Sequence, residues 1–168
     1  GSPGQERLKK ATVFVAGLGG LGSPDAMYLA AAGIGCLRIC DSDRVDITNL
    51  NRQVLYKEED VGSEKAQAAA TRITSLNKNT EILALKATIE ERSIEELAGN
   101  ANVLVDCLDN LGGRMVLNRF AVRNRIPLVH AGVEGNAGQV SFIQPPETPC
   151  LACIYDSLNE KGPVPVVG

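Results

Sequence analysis

Six residues, Gly17-Leu18-Gly19-Gly20-Leu21-Gly22, do most to limit what this chain can become. Before them, Ala11 to Ala16 is short, apolar and β-branched, and reads as a buried strand. After them, Pro24 to Ala32 is Ala-rich and reads as a helix. G-x-G-x-x-G in that setting is a turn whose backbone can approach a phosphate, at a helix N-terminus offering free N–H groups and a positive dipole end. The same turn also serves simply to pack a helix closely on a sheet. Asp41 lies 19 residues beyond Gly22, where an acid at the end of a second strand can bond a ribose.

The rest of the chain repeats the alternation. Cys36 to Cys40 predicts strand two, and Ser63 to Leu76 an amphipathic helix with Ser63 as its cap. Glu81 to Lys86 predicts strand three, and Ser93 to Leu97 a short helix. Asn102 to Val105 predicts strand four, ending in Asp106, followed by a helix over Arg114 to Asn124. Pro127 to His130 and Gln139 to Ile143 predict strands five and six. Such alternation implies βαβ units. The expected fold is α/β and Rossmann-like, a largely parallel sheet with helices on both faces. Ligands in such sheets bind beyond the carboxyl ends of the strands. There the Gly17 to Gly22 turn, Asp41 and Asp106 to Asn110 converge on one crevice.

Composition removes other classes. The 168 residues suit one domain with a core, and 44% hydrophobic content is too high for disorder. A net charge of −3 argues against a partner with a bulk phosphate backbone, so a nucleic acid is not expected. A single His excludes catalysis built on several imidazoles. No run has the ~20 apolar residues of a membrane helix, and no signal-peptide pattern opens the chain. Five Cys with one close pair fit a reducing compartment, so a cytoplasmic, membrane-free protein is expected. Gly1-Ser2 reads as a tag scar and residues 1–4 as scar or linker. Residues 154–168 read as the start of a crossover loop or of a missing C-terminal part.

Several side chains could carry chemistry. The loop after Asp41 holds Asp43, Asn49, Arg52 and Gln53. Arg52 can clamp phosphate oxygens with its planar fork, or sit on a solvated loop. Lys65 begins a helix, where a cation is unfavourable, so it is either in solvent or compensated by a bound anion. Asp106 and Asp109 suggest a Mg²⁺ position beside phosphates, with Asp109 nearer the loop. Asp109 or Asn110 can instead cap the next helix. Arg114 is placed to pair with an acid. Cys150 and Cys153 have the spacing of half a tetrahedral zinc site, which needs two more ligands. A redox dithiol, not placed to open a helix after a first strand, and an inert pair are the other readings. Cys36, Cys40 and Cys107 read as buried structural thiols.

In order, these pieces are Gly17-x-Gly19-Gly20-x-Gly22, Asp41-x-Asp43-x-Val45, Asn49-Leu50-x-Arg52-Gln53, Gly62-x-x-Lys65, Asp106-Cys107-x-Asp109-Asn110 and Cys150-x-x-Cys153. The ordered set, from about Gln5 to Cys153, resembles the ubiquitin-activating-enzyme superfamily. Within it the likeness is to the molybdopterin- and thiamine-pathway carrier-protein adenylyltransferases (HesA/MoeB/ThiF). The resemblance implies a single adenylation domain over 1–168 that forms a homodimer. It implies ATP-dependent adenylation of the C-terminal Gly-Gly carboxylate of a small β-grasp ubiquitin-like or sulfur-carrier protein, with release of pyrophosphate. Gly17, Gly19, Gly20, Gly22, Asp41 and Asp43 would lie along the nucleotide, with Asp41 at the ribose. Asn49, Arg52, Gln53 and Lys65 would face the phosphates. Asp109 would bind Mg²⁺ with Asn110 beside it, and Cys150 and Cys153 would bind Zn²⁺. Arg52, Lys65 and Asp109 would be the catalytic set. The family's N-terminal Arg-bearing segment, its second Cys pair and the Cys that many relatives carry after the first pair do not appear in these 168 residues. Three competing readings are an NAD-dependent oxidoreductase, a relative that modifies a tRNA base, and a non-catalytic partner that keeps the fold.

Overall fold

The structure is a computed structural model that describes the backbone of residues 1–159 and the side chains of residues 1–155. Six strands form one sheet: β1 (Thr12–Ala16), β2 (Cys36–Cys40), β3 (Glu81–Leu85), β4 (Val103–Asp106), β5 (Leu128–Glu134) and β6 (Ala137–Ile143). Their order across the sheet is β3-β2-β1-β4-β5-β6. The first five are parallel, and β6 returns antiparallel to β5. The chain reverses its winding between β1 and β4, and a crevice for ligands opens at such a switch point.

Side-chain alternation divides the core. Val13 and Val15 of β1, with Leu37 and Ile39 of β2, face α2 (Gly22–Ala32) and α3 (Lys65–Leu76). Ala26, Ala30, Ala66 and Ala69 are fully or almost fully buried there, so small residues let these helices lie close to the sheet. Phe14, Ala16 and Leu104 point to the other face, against α4 (Ile94–Ala98), α5 (Leu111–Asn124) and α6 (Leu151–Asn159). Helices therefore cover both faces, as expected. At about 25 cal/mol per Å² of apolar surface, these two layers drive the folding.

One row of the register positions everything that follows. Leu85, Cys40, Ala16, Asp106 and His130 lie side by side across five strands. All stand at or near the carboxyl ends of parallel strands.

Some local expectations are corrected. Residues 2–4 are no linker: α1 (Ser2–Lys10) begins there, with Gly1 as N-cap and Pro3 in the first turn, where the missing N–H costs nothing. Gln5 Nε2 of this helix donates to Ala32 O (3.0 Å) at the end of α2. Ser63 does not cap α3; the N-cap is Glu64, and the Ser63 backbone is bonded to Val45 and Asp60 instead. Strand five runs four residues further than expected, to Glu134, because it pairs in a long hairpin with β6. Residues 154–159 are helical, as part of α6, not a loop. The reading of residues 160–168 falls outside the described residues. Among the described residues no helix is long and apolar enough to cross a membrane.

Candidate active site

The first-strand turn is built by its neighbours. Gly17 has φ +88°, and a Cβ on it would stand 2.7 Å from Cys107 O. A Cβ on Gly22 would stand 1.9 Å from Gly17 O, so the turn closes on itself only without a side chain there. Leu18 N–H donates to Asp41 Oδ2 (2.8 Å), while Leu18 O accepts from Ser23 Oγ and Tyr56 Oη (both 3.0 Å). Burial and nearby Asp41 push the Tyr56 hydroxyl far above its ordinary value, so it stays a donor.

Asp41 thus has a structural task as well as its expected one. Its Oδ1 accepts from Asp43 N–H (2.8 Å), which folds the start of the following loop back on itself. Each carboxylate oxygen accepts one bond and retains a second lone pair.

The cleft above the row of strand ends is about 1270 Å³, lined by the Gly17, Gly19 and Gly20 backbone and by Asp41, Asp43, Arg52, Gln53, Lys65, Asp109 and Asn110. Of the residues expected at the nucleotide and Mg²⁺, all but Gly22 and Asn49 line it, and Cys150 and Cys153 are not among its lining. Gly22 lies directly under the turn. Asn49 lies outside: its Oδ1 accepts from Asp46 N–H (3.1 Å) and closes a capping box on a 3₁₀ turn over Ile47–Asn49. The Asn49 side-chain oxygen thereby shapes the loop that carries Arg52.

Arg52 lies along the open side of Gly20, its Cγ and Cδ 3.7 Å from where a Cβ there would be. Its Nη1 donates to Thr48 O and Asn51 Oδ1 (both 3.0 Å). A Cβ on Gly19 would stand 3.8 Å from Gln53 Nε2. The glycines and these two side chains leave a cradle that a methyl group would enter. Gln53 is 4% exposed, and its Oε1 has no partner among the described residues. An orphaned buried amide oxygen at the wall of a cleft fits a ligand that supplies the missing partner.

Lys65 is neither in solvent nor dependent on a bound anion alone. It is 6% exposed, and its Nζ is 3.2 Å from Asp43 Oδ2. A buried cation whose one partner is exposed is placed to meet a second anion in the cleft.

On the far wall, Asn110 Oδ1 accepts from Gly113 N–H (2.8 Å) and caps α5, one of the two alternatives left open. Asp109 is exposed on the cleft, with Asn110 Nδ2 3.5 Å away. An exposed carboxylate that accepts one long bond, beside a phosphate cradle, fits Mg²⁺, which takes one or two carboxylates plus phosphates and water. Among the described residues Arg114 forms no ion pair with an acid. Its Nε and Nη2 donate to Leu108 O, and its Nη1 to the Tyr155 hydroxyl (3.3 Å).

Cys150 and Cys153 stand with sulfurs 3.8 Å apart. That is the edge of a tetrahedron with Zn–S of about 2.3 Å. Among the described residues no group of three or more His, Cys, Asp or Glu could hold a metal, so the pair supplies two ligands of a possible four. Cys150 directly precedes α6, so the pair does open a helix, after strand six. Partial burial opposes ionisation of Cys150. Bonds from the Cys153 backbone, Asn118, the Cys153 thiol and the Ala152 backbone outweigh it and bring the thiol below its ordinary value. Cys40 and Cys107 are buried as expected. Burial and Asp41 push the Cys40 thiol up to about 12. Cys36 is only half-buried.

Sequence reasoning missed a second polar cluster. His130 and Asp106 are buried neighbours in the strand-end row, with His130 Nδ1 2.7 Å from Asp106 Oδ2. Tyr155 Oη lies 3.2 Å from His130 Nε2, and Gln139 Nε2 lies 3.4 Å from each of them. The lone His at the end of a predicted strand was the available signal.

A profile of the ThiF family matches residues 1–167. The chain is 37% identical over 158 residues to the sulfur carrier protein ThiS adenylyltransferase of Escherichia coli, covering 94% of this chain and 63% of that protein. It thus spans about three fifths of that relative's length. Among solved structures, E. coli MccB crystallised with ATP superposes with a TM-score of 0.83 at 26% identity, over 98% of this chain and 51% of that one. The E. coli tRNA N6-threonylcarbamoyladenosine dehydratase TcdA, in complex with AMP, gives 0.76 at 29%, over 80% and 56%. With its Gly-rich turn, acid-ended strands and Cys pair in the family's order, the chain belongs to the ThiF family.

Proposed function

We propose that this chain is the adenylation domain of an enzyme that activates a small ubiquitin-like or sulfur-carrier protein with ATP. The observation that carries this reading is the single cleft joining the glycine cradle, Arg52, Lys65 and Asp109. A plain NAD site uses the turn and Asp41 and leaves those three without work.

In this reading Asp41 receives the ribose and the N-terminus of α2 receives phosphate. Arg52, Lys65 and the amide of Gln53 line the triphosphate. The carrier's C-terminal Gly-Gly carboxylate is already ionised at neutral pH and needs no general base. Its oxygen forms a bond to the α-phosphorus, the bond from that phosphorus to the β-phosphate oxygen breaks, and pyrophosphate leaves with the electron pair. Charge at phosphorus is neutralised by groups fixed in place beforehand, which supplies most of the acceleration. Lys65, held beside Asp43 at the wall of the cleft, faces the phosphates from that position. Asp109, with Asn110 beside it, would hold Mg²⁺, which would supply charge neutralisation. Zn²⁺ held by Cys150 and Cys153 with two further ligands would fix the start of α6. A homodimer belongs to the reading through the resemblance, and the exposed Tyr28, Ile47 and Val54 offer apolar surface for it. A cytoplasmic setting is in keeping with five free thiols.

The likeness to TcdA keeps one rival, a tRNA-modifying enzyme using the same ATP site. ATP–pyrophosphate exchange with Mg²⁺ separates them. Exchange that requires a Gly-Gly-ended carrier and disappears in Asp109→Ala supports carrier activation. Exchange that requires a carboxyl-bearing tRNA base, or ATP binding without exchange for any carrier, refutes it.

A further inference from the structure

The buried cluster beside the cleft closes a ring of hydrogen bonds through one residue, Leu108. Asp106 Oδ1 accepts from Leu108 N–H (3.1 Å), and its Oδ2 accepts from His130 Nδ1 (2.7 Å). A carboxylate only accepts, so Nδ1 carries that hydrogen and Nε2 is free to accept. The Tyr155 hydroxyl, 3.2 Å away, donates to it. The same oxygen accepts from Arg114 Nη1 (3.3 Å), and Arg114 donates through Nε (2.9 Å) and Nη2 to Leu108 O. Leu108 is held at its N–H by one end of this chain of bonds and at its carbonyl by the other. Its carbonyl belongs to the peptide bond into Asp109.

Each link has one direction. Arg114 can only donate, Asp106 only accept, and His130 and Tyr155 each pass the direction on. Tyr155 and His130 are 8% and 1% exposed, so water does not readily replace a lost link. Tyr155 comes from α6, just after the Cys pair, whereas the other members come from β4, β5 and α5.

We propose that Tyr155, through His130, Asp106 and Arg114, is a positioning residue that fixes the Leu108–Asp109 peptide and so aims the Asp109 carboxylate at the nucleotide's metal ion. This rests on the reading of Asp109 as a Mg²⁺ ligand. It makes the metal dependence of the ATP site depend on a helix outside the sheet, the one that the Cys pair opens.

The test is Tyr155→Phe, which removes one oxygen and keeps the ring's packing. ATP binding is measured by calorimetry with Mg²⁺ and with EDTA, alongside thermal unfolding and amide exchange at Leu108 and Asp109 in the free protein. The wild type should bind ATP more tightly with Mg²⁺. The variant should lose about five- to ten-fold of that affinity with Mg²⁺, the worth of one buried hydrogen bond, and none with EDTA. Amide exchange at Leu108 and Asp109 should accelerate, while the unfolding midpoint falls by no more than the few degrees that one buried hydrogen bond is worth. His130→Asn keeps a donor toward Asp106 and drops the link to Tyr155, so its loss should not add to that of Tyr155→Phe in the double variant. Equal losses with Mg²⁺ and EDTA, together with a larger fall of the midpoint, would mean a merely structural role and overturn the proposal. So would wild-type metal dependence with unchanged amide exchange. A wild type that binds no ATP at all would overturn the functional reading and this inference together, whereas a null result confined to the variants overturns this inference alone.

Discussion

Two glycines two residues apart, Gly20 and Gly22, should fail in opposite ways. In Gly22→Ala the new methyl would stand 1.9 Å from Gly17 O and 2.8 Å from Gly17 C. Both are backbone atoms, so the turn itself must open. Overpacking of this kind costs about 1–3 kcal/mol. At about 2–4 °C per kcal/mol for a chain of this size, the unfolding midpoint should fall by about 2–12 °C. In Gly20→Ala the methyl meets only Arg52 Cγ and Cδ, at 3.7 Å, which is ordinary contact. Gly20 is not among the residues with positive φ, so Ala fits the backbone and stability should hold or rise by about 0.4–1 kcal/mol. That methyl enters the cradle, however, and a displaced phosphate at a similar overpacking cost loses about ten-fold to a hundred-fold in affinity. Thermal unfolding by circular dichroism and calorimetric titration of Mg²⁺-ATP read the two quantities separately. A folded Gly20→Ala that binds ATP like the wild type would refute the cradle. A Gly22→Ala that melts with the wild type would refute the account of the turn.

Three further outcomes follow from the same geometry. Lys65→Met leaves Asp43, whose side chain is 64% exposed, to return to water, so stability should change by less than about 1 kcal/mol while pyrophosphate exchange falls more than about ten-fold. Asp43→Ala instead strands a buried ammonium, which should cost about 1–3 kcal/mol, and saturating ATP should restore more of its midpoint than it adds to the wild type; equal shifts would mean that Lys65 does not face the phosphates. Above neutrality, stability should fall with pH. The Cys40 thiol is held neutral to about 12 in the fold, against an ordinary value near 9.0, so its contribution is whole below pH 9.0 and is lost as pH rises toward 12. The slope is about 1.4 kcal/mol per pH unit for one thiol, Cys107 and Tyr56 act in the same direction, and urea unfolding of Cys40→Ala through that range should show a shallower fall than the wild type.

The strands and the turn were legible because their signals are local. Short apolar runs of four to six residues mark strands without tertiary information, and Gly17, Asp41 and Asp106 mark the carboxyl ends of three of them. The crevice followed from the alternation alone, and Asp41, Arg52, Lys65 and Asp109 do meet there. What escaped was set by partners distant in sequence or by turn chemistry. α1 hides behind Pro3 and Gly4, and its order comes from docking against Ala32 and Gly35. Asn49 looks like a ligand residue in sequence, yet a three-residue capping box consumes its side-chain oxygen. Arg114 was matched to an acid by charge, whereas its nearest acceptors are a carbonyl and a phenol oxygen. The Asp106–His130 pair joins residues 24 apart whose adjacency exists only once β4 lies beside β5. Lys65 was posed as solvated or anion-bound; the isolated bridge between Arg44 and Glu64 that brings Asp43 under it could not be read from spacing.

The central claim is that a carrier's terminal carboxylate attacks the α-phosphorus of ATP in this cleft. The direct measurement labels that carboxylate with oxygen-18, lets the activated carrier pass to an acceptor thiol, and follows the label by mass spectrometry of the released nucleotide. The account predicts oxygen-18 in AMP, with pyrophosphate as the other product and neither formed by Asp109→Ala. Label found in inorganic phosphate alongside ADP would place the attack at the γ-phosphorus and contradict it.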